Sequence, residues 1–202
     1  MKKLYSILIY FCLAFIVIAN PSEKREFKAP GFSMEAPAEW DDITVEEFKD
    51  NIKRVDLGSP SFNKFLHENN EIPLFSIRKG DPELEEYLAT INVKVQVSDL
   101  KFNNIPADLR TYLYRISLVL KNFDYLIEPK TIRINGNLAG YSLFSYTLID
   151  ENKNERKVAS AFWIFPRKNH IYLIGSGFVY ENFEPTLKEI KQIVGTIKIT
   201  DR

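Results

Sequence analysis

Ile91-Asn92-Val93-Lys94-Val95-Gln96-Val97-Ser98, followed by Asn104-Ile105-Pro106-Ala107-Asp108-Leu109-Arg110-Thr111-Tyr112-Leu113-Tyr114-Arg115-Ile116, changes its hydrophobic period within a few residues. In the first stretch Ile91, Val93, Val95 and Val97 alternate with polar neighbours, which predicts a half-buried strand. In the second, Leu109, Tyr112, Leu113, Ile116, Leu120 and Phe123 recur at steps of three and four. That spacing predicts a helix over about 105–122 with Leu113 and Ile116 turned inward. Asn104 and Pro106 suit its start, and Arg110, Arg115 and Lys121 fall on its wet side. Pro129 prevents a long continuation.

Downstream the chain reads mostly as sheet. Ile132 and Ile134 alternate before the turn signal Asn135-Gly136. Tyr141 to Ile149 is apolar on both parities, which predicts a central strand covered on both faces. With Val158 to Phe165 and Ile171 to Phe178 it makes an antiparallel meander. Asn182 and Pro185 open a last helix with Leu187, Ile190 and Val194 inward, Gly195 stands where a C-cap glycine belongs, and Ile197 and Ile199 form a short final strand. Upstream, residues 20–30 are polar, carry two prolines and read as a linker. Phe32, Met34 and Ala36 mark a first strand, ended by Pro37 and followed by Trp40. Thr44 with Glu47 is a capping-box spacing, with Val45, Phe48 and Ile52 on one helical face. Ser59-Pro60 starts another helix, Ile72 to Lys79 is a strand, and 83–88 stays open between helix and loop. The class is α+β: an antiparallel sheet with helices packed on it, in one domain over 31–202.

The 202 residues suffice for one domain with a substantial core. Lys and Arg number 27, as do Asp and Glu, so no charge excess points to nucleic acid. The N-terminus carries the clearest signal. Lys2 and Lys3 precede an apolar run from Leu4 to Ala19 that is interrupted by Ser6 and carries tyrosines at 5 and 10. Val17 and Ala19 sit at the two positions a signal peptidase reads, and polar sequence follows at once. This predicts a signal peptide over 1–19, cut between Ala19 and Asn20. The competing reading is an uncleaved anchor, although about 16 residues fall short of the ~20 a spanning helix needs. Either way the domain faces outward, periplasmic or secreted. Cys12 is the sole cysteine and lies inside the apolar run, so it suits neither a disulfide nor a lipoprotein signal.

Candidate chemistry is sparse. His67 and His170 each lack a second ligand at useful spacing, so neither predicts a metal site. Ser176 has a glycine directly on each side and lies within an apparent strand. A hydrolase serine needs Gly-x-Ser-x-Gly at a strand-to-helix turn. Asp81, Glu83, Glu85 and Glu86 cluster after Gly80 without a calcium-loop pattern and read as a solvated loop. Trp40, Tyr141, Phe144, Tyr146, Phe162, Trp163, Phe165 and Tyr172 suit a core better than a ligand groove, because alternating strand aromatics usually pack inward. The basic residues Lys153, Arg156 and Lys157 lie at one end of the second meander strand, and Arg167 and Lys168 at the other.

Taken in order, Gly31-Phe32-Ser33-Met34 with Pro37 and Trp40, then Asn92-Val93-Lys94-Val95 and the long helix, then Ile134, Gly136, Gly140-Tyr141, Tyr172 and Ile193-Val194-Gly195-Thr196-Ile197 resemble the PsbP/Mog1-like superfamily, including PsbP-related proteins exported by bacteria. The resemblance covers about 30–200. It departs from the family at Gly195-Thr196-Ile197, where a serine and phenylalanine often precede the last strand. It implies an α/β/α sandwich and a non-catalytic binding or assembly module, and it carries over no catalytic, cofactor or metal residue. The expected partner is an envelope or membrane protein or a small apolar ligand, and no cofactor is expected. The alternative is an extracytoplasmic hydrolase using a carboxylate pair drawn from distant positions.

Overall fold

The computed structural model describes residues 23–29, 31–44, 46, 74–80, 89–97, 103–149, 153–168, 170–181 and 183–200. Its elements run β1 (Lys24–Ala29), β2 (Phe32–Pro37), β3 (Trp40–Asp42), β4 (Phe75–Lys79), β5 (Ala89–Val97), α1 (Ile105–Ser117), β6 (Lys121–Ile134), β7 (Asn137–Ile149), β8 (Glu155–Pro166), β9 (His170–Val179), α2 (Phe183–Val194) and β10 (Lys198–Ile199). Among the described residues, seven strands form one antiparallel sheet in the order β3-β4-β5-β9-β8-β7-β6, and β1-β2-β10 form a second.

The meander β6 to β9 follows from local chemistry. Asn135 and Gly136 both take positive φ, 47° and 78°, and Ile134 pairs with Asn137, which is the tight hairpin that Asn-Gly favours. In β7, residues 141–145 are all buried, as a strand covered on both faces requires. Ala139, Tyr141 and Leu143 enter one hydrophobic cluster and Phe144 the other. The alternation of β5 turns Ile91 and Val93 into the first cluster, opposite Ser176 and Ile174 of β9. The 9-residue strand β5 and the meander thus join across a long sequence separation.

Each face of the large sheet has its own helix. Leu109 and Leu113 of α1 close a cluster with Phe144, Ile164, Ile171 and Leu173. On the other face Leu187, Ile190, Ile193 and Val194 of α2 join Phe32, Met34 and Ala36 of the small sheet over Trp163, Phe165 and Ile174. Asn104 caps α1, its side chain accepting from the Ala107 N–H at 3.3 Å.

Three expectations change. Residues 24–29, within the stretch read as a linker over 20–30, form a strand that pairs along its length with β2. Lys, Arg and Glu dominate it and Phe27 alone is buried, so an edge strand looks like a polar linker. α1 stops at Ser117, short of 122, and Lys121 already belongs to β6. Phe123, Tyr125 and Ile127 alternate with period two, and that pattern overlaps the helical one. Pro129 lies within β6, an edge strand with register shifts, where a missing N–H is tolerated. Gly195 is not a left-handed cap, since its φ is not among the positive values. A Cβ there would lie 3.1 Å from the carbonyl oxygens of Lys191 and Gln192. The helix starts expected near Thr44 and Ser59 and the ambiguous stretch 83–88 lie almost wholly outside the described residues.

Candidate functional site

Of the residues singled out for chemistry, the two that are described, Ser176 and His170, do not come together. Ser176 is buried, and its hydroxyl donates to the Ala161 carbonyl at 3.2 Å, a bond that ties β9 to β8. His170 starts the same strand six residues earlier, roughly 20 Å away along an extended chain. Its ring stands edge-on to Tyr172 at 5.1 Å. His67, Asp81, Glu83, Glu85, Glu86 and the cleavage pair Ala19 and Asn20 lie outside the described residues. Among the described residues no group of three His, Cys, Asp or Glu side chains could hold a metal ion.

The eight aromatics are core or core-flanking. Trp40, Tyr141, Phe144, Trp163, Phe165 and Tyr172 are buried, while Tyr146 and Phe162 are half-buried against the α1 cluster. Trp40 also reaches a polar partner. Its Nε1–H donates to Glu189 Oε1 at 2.9 Å, and the same carboxylate receives Lys79 Nζ at 2.6 Å. Glu189 is thus consumed in holding α2 to β3 and β4.

A concave surface forms instead between α2 and the β6–β7 edge. It is a groove of about 790 Å³ with Leu126, Ile127 and Leu143 on the sheet side. On the helix side stand Phe183, Leu187, Lys188 and Lys191. The helical positions 183, 187 and 191, with 184, 188 and 192 beside them, follow the four-residue ridge of one face. A register shift between Ile127 and Lys130 distorts β6 here, and Ser142 Oγ donates to the Ile127 carbonyl at 2.9 Å.

The groove's electrostatics are one-sided. Lys191 Nζ lies 5.4 Å from the centroid of the Tyr141 ring and Lys130 Nζ lies 5.8 Å from it. Tyr141 is two residues from Leu143 on the same face of β7, so these two cations gather at one end of the groove. Among the described residues Lys130, Lys188 and Lys191 make no ion pair, unlike Lys79, Arg110 and Lys121, which meet carboxylates. Glu184 stands near the other end. The Tyr141 hydroxyl is buried without a hydrogen-bond partner among the described residues, and burial pushes its pKa up to about 12. None of the groove-lining side chains was a candidate in the sequence. The available signal was Lys188 and Lys191 beside Leu187 on one helical face, which reads equally well as an ordinary wet flank.

No family model and no curated protein sequence matches the chain. Solved structures do. The chain is similar to the cyanobacterial PsbP, CyanoP, of Synechocystis sp. PCC 6803, at a TM-score of 0.53 and 9% identity over 93% of this chain and 98% of that one. It is similar to the Saccharomyces cerevisiae Ran-binding protein Mog1p at 0.53 and 8% identity, over 89% and 97%. It is also similar to LpqN, involved in cell envelope biogenesis of Mycobacterium tuberculosis, at 0.52 and 14% identity, over 89% and 91%. At such identities the likeness is one of fold. With its antiparallel sheet flanked by α1 on one face and α2 on the other, the chain has the PsbP/Mog1-like α+β fold.

Proposed function

We propose that the chain is an exported, non-catalytic binding or assembly module, released from a signal peptide over 1–19 between Ala19 and Asn20. Its domain, from β1 to β10, acts outside the cytoplasm on an envelope or membrane protein or a small apolar ligand. The observation that carries this reading is the α2–β6 groove, whose apolar floor and lysines, which make no ion pair among the described residues, suit binding. Proteins of similar fold include a Ran-binding protein and one involved in cell envelope biogenesis, and both roles suit a binding or assembly module.

The test has two arms. N-terminal sequencing of native protein should find Asn20 first, in the periplasm or medium. Intact Met1 in the soluble cytoplasm would overturn export, and intact protein in the membrane fraction would replace the cleaved signal with an anchor. A hydrolase screen of the purified chain should show no turnover attributable to it. Turnover that disappears on replacing Ser176, His170 or the carboxylates at 81, 83, 85 and 86 would replace the module reading with the enzymatic one.

A further inference from the structure

We infer that the α2–β6 groove binds a single-chain lipid with an anionic head, the acyl chain lying along α2 and the head at Lys191 and Lys130. The inference rests on the binding-module reading and names the ligand class of its site.

The lining helical residues run from Phe183 to Gln192, roughly 14 Å of helix axis. That length includes the lysine end, so the groove takes the head and the head-proximal part of one chain, and the rest of a chain about 15 Å long extends past Phe183. Polarity changes along that length. Leu126, Ile127, Phe183 and Leu187 make an apolar stretch, whereas the end at Tyr141 gathers Lys191 and Lys130, with Lys188 on the rim between. No carboxylate among the described residues neutralises these three ammonium groups, and the one acid in the lining, Glu184, stands at the apolar end. An anionic head is therefore drawn to the Lys191 and Lys130 end, where a cationic head is repelled and a neutral one is not attracted by charge.

The principal rival is an extended peptide adding to β6 as an extra strand. Such addition needs a regular row of free backbone groups. β6 lacks one beside the groove: its register shifts between Tyr125 and Ile127 and again between Ile127 and Lys130, and Pro129 has no N–H to offer. Bulges and proline are devices that blunt an edge against pairing.

The experiment is calorimetric titration of the full mature chain with laurate, dodecyl maltoside and dodecyltrimethylammonium, each below its micellar concentration. The site is located by NMR shifts of Leu126, Ile127 and Phe183. Laurate should bind at least about tenfold more tightly than the other two. The Lys188→Glu, Lys191→Glu double variant should lose at least about tenfold of laurate affinity with an unchanged thermal midpoint, since both side chains are exposed. Leu126→Lys should weaken laurate while leaving any head-only binding of acetate untouched. Equal affinity for all three amphiphiles, shifts confined to other surfaces, or no binding below about 1 mM would overturn the inference. A partner peptide shifting the same three residues, with laurate inert, would overturn it too while leaving the module reading intact.

Discussion

Two adjacent residues of β7 show how one strand serves two faces. Tyr141 points into the α2-side cluster, 3% exposed, its hydroxyl without a hydrogen-bond partner among the described residues, and its pKa rises from 10.0 to about 12 because ionisation there would bury a charge. The sign follows. Below about pH 10 the phenol is neutral in folded and unfolded chains alike, and its contribution is intact. As pH rises from about 10 toward 12 the unfolded chain gives up the proton first, so stability falls, by on the order of 2–3 kcal/mol in all. Tyr141→Phe should abolish that part of the alkaline decline and leave stability at pH 7 unchanged or up to about 1 kcal/mol higher, because no hydrogen bond is lost. Urea midpoints of both chains between pH 7 and 11 check it, and parallel alkaline declines would contradict it. Gly140 faces the other way. A Cβ there would lie 2.8 Å from Ile105 Cγ2 and 3.1 Å from Leu109 Cδ2, so the glycine lets α1 settle on β7. Gly140→Ala should cost about 1–3 kcal/mol through forced displacement of the helix. A gain in denaturant midpoint would show instead that the Ile105 and Leu109 side chains yield and that reduced unfolded-state entropy prevails.

At the scale of elements, α1 separates what periodicity reveals from what it hides. Leu113 is fully buried and Leu113→Ala should cost about 2–5 kcal/mol. Ile116, one turn on, is only half-buried against the same cluster, so Ile116→Ala should cost less, about 1–2 kcal/mol. Denaturant unfolding of the two variants tests the order, and an equal or reversed pair would mean that the helix is rotated on the sheet. The inward face of α1 was legible because Leu109 and Leu113 repeat at helical spacing over a soluble opposite face. Its end was not, because Leu120 and Phe123 continue the helical rhythm while Phe123, Tyr125 and Ile127 begin the strand rhythm. The meander was legible from Asn135-Gly136 and from the doubly apolar β7. β1 was not, since an edge strand that buries Phe27 alone carries too little pattern. The groove was the least legible. It is made where α2 meets β6, and no local window holds Leu126, Leu143 and Lys191 together. Thr196 shows the same limit: its hydroxyl accepts from the Glu35 N–H at 2.8 Å and lies 2.6 Å from the Ile193 carbonyl, fastening β2 to the end of α2 across the whole chain.

For the whole molecule the question is whether two hydrophobic clusters on opposite faces make one folding unit. They share β7, β8 and β9, whose alternate residues enter one cluster and then the other: Trp163 and Phe165 on the α2 side, Ile164 on the α1 side. Truncating a side chain on one face therefore destabilises strands that the other face also needs. The two tryptophans, Trp40 and Trp163, both belong to the α2-side cluster, so their fluorescence reports on that face alone, whereas far-ultraviolet dichroism reports on the sheet and both helices. If the chain from β1 to β10 unfolds as one unit, Leu113→Ala on the α1 face should lower the denaturant midpoint of the tryptophan signal and of the dichroism by the same amount, with the slope unchanged. Ile190→Ala, fully buried on the α2 face, should do likewise. A Leu113→Ala chain whose tryptophan transition stays at the parent midpoint while its dichroism shifts would divide the molecule into separately melting faces. The interleaving of β7 to β9 argues against that outcome, because no strand of the meander can leave one cluster without vacating the other.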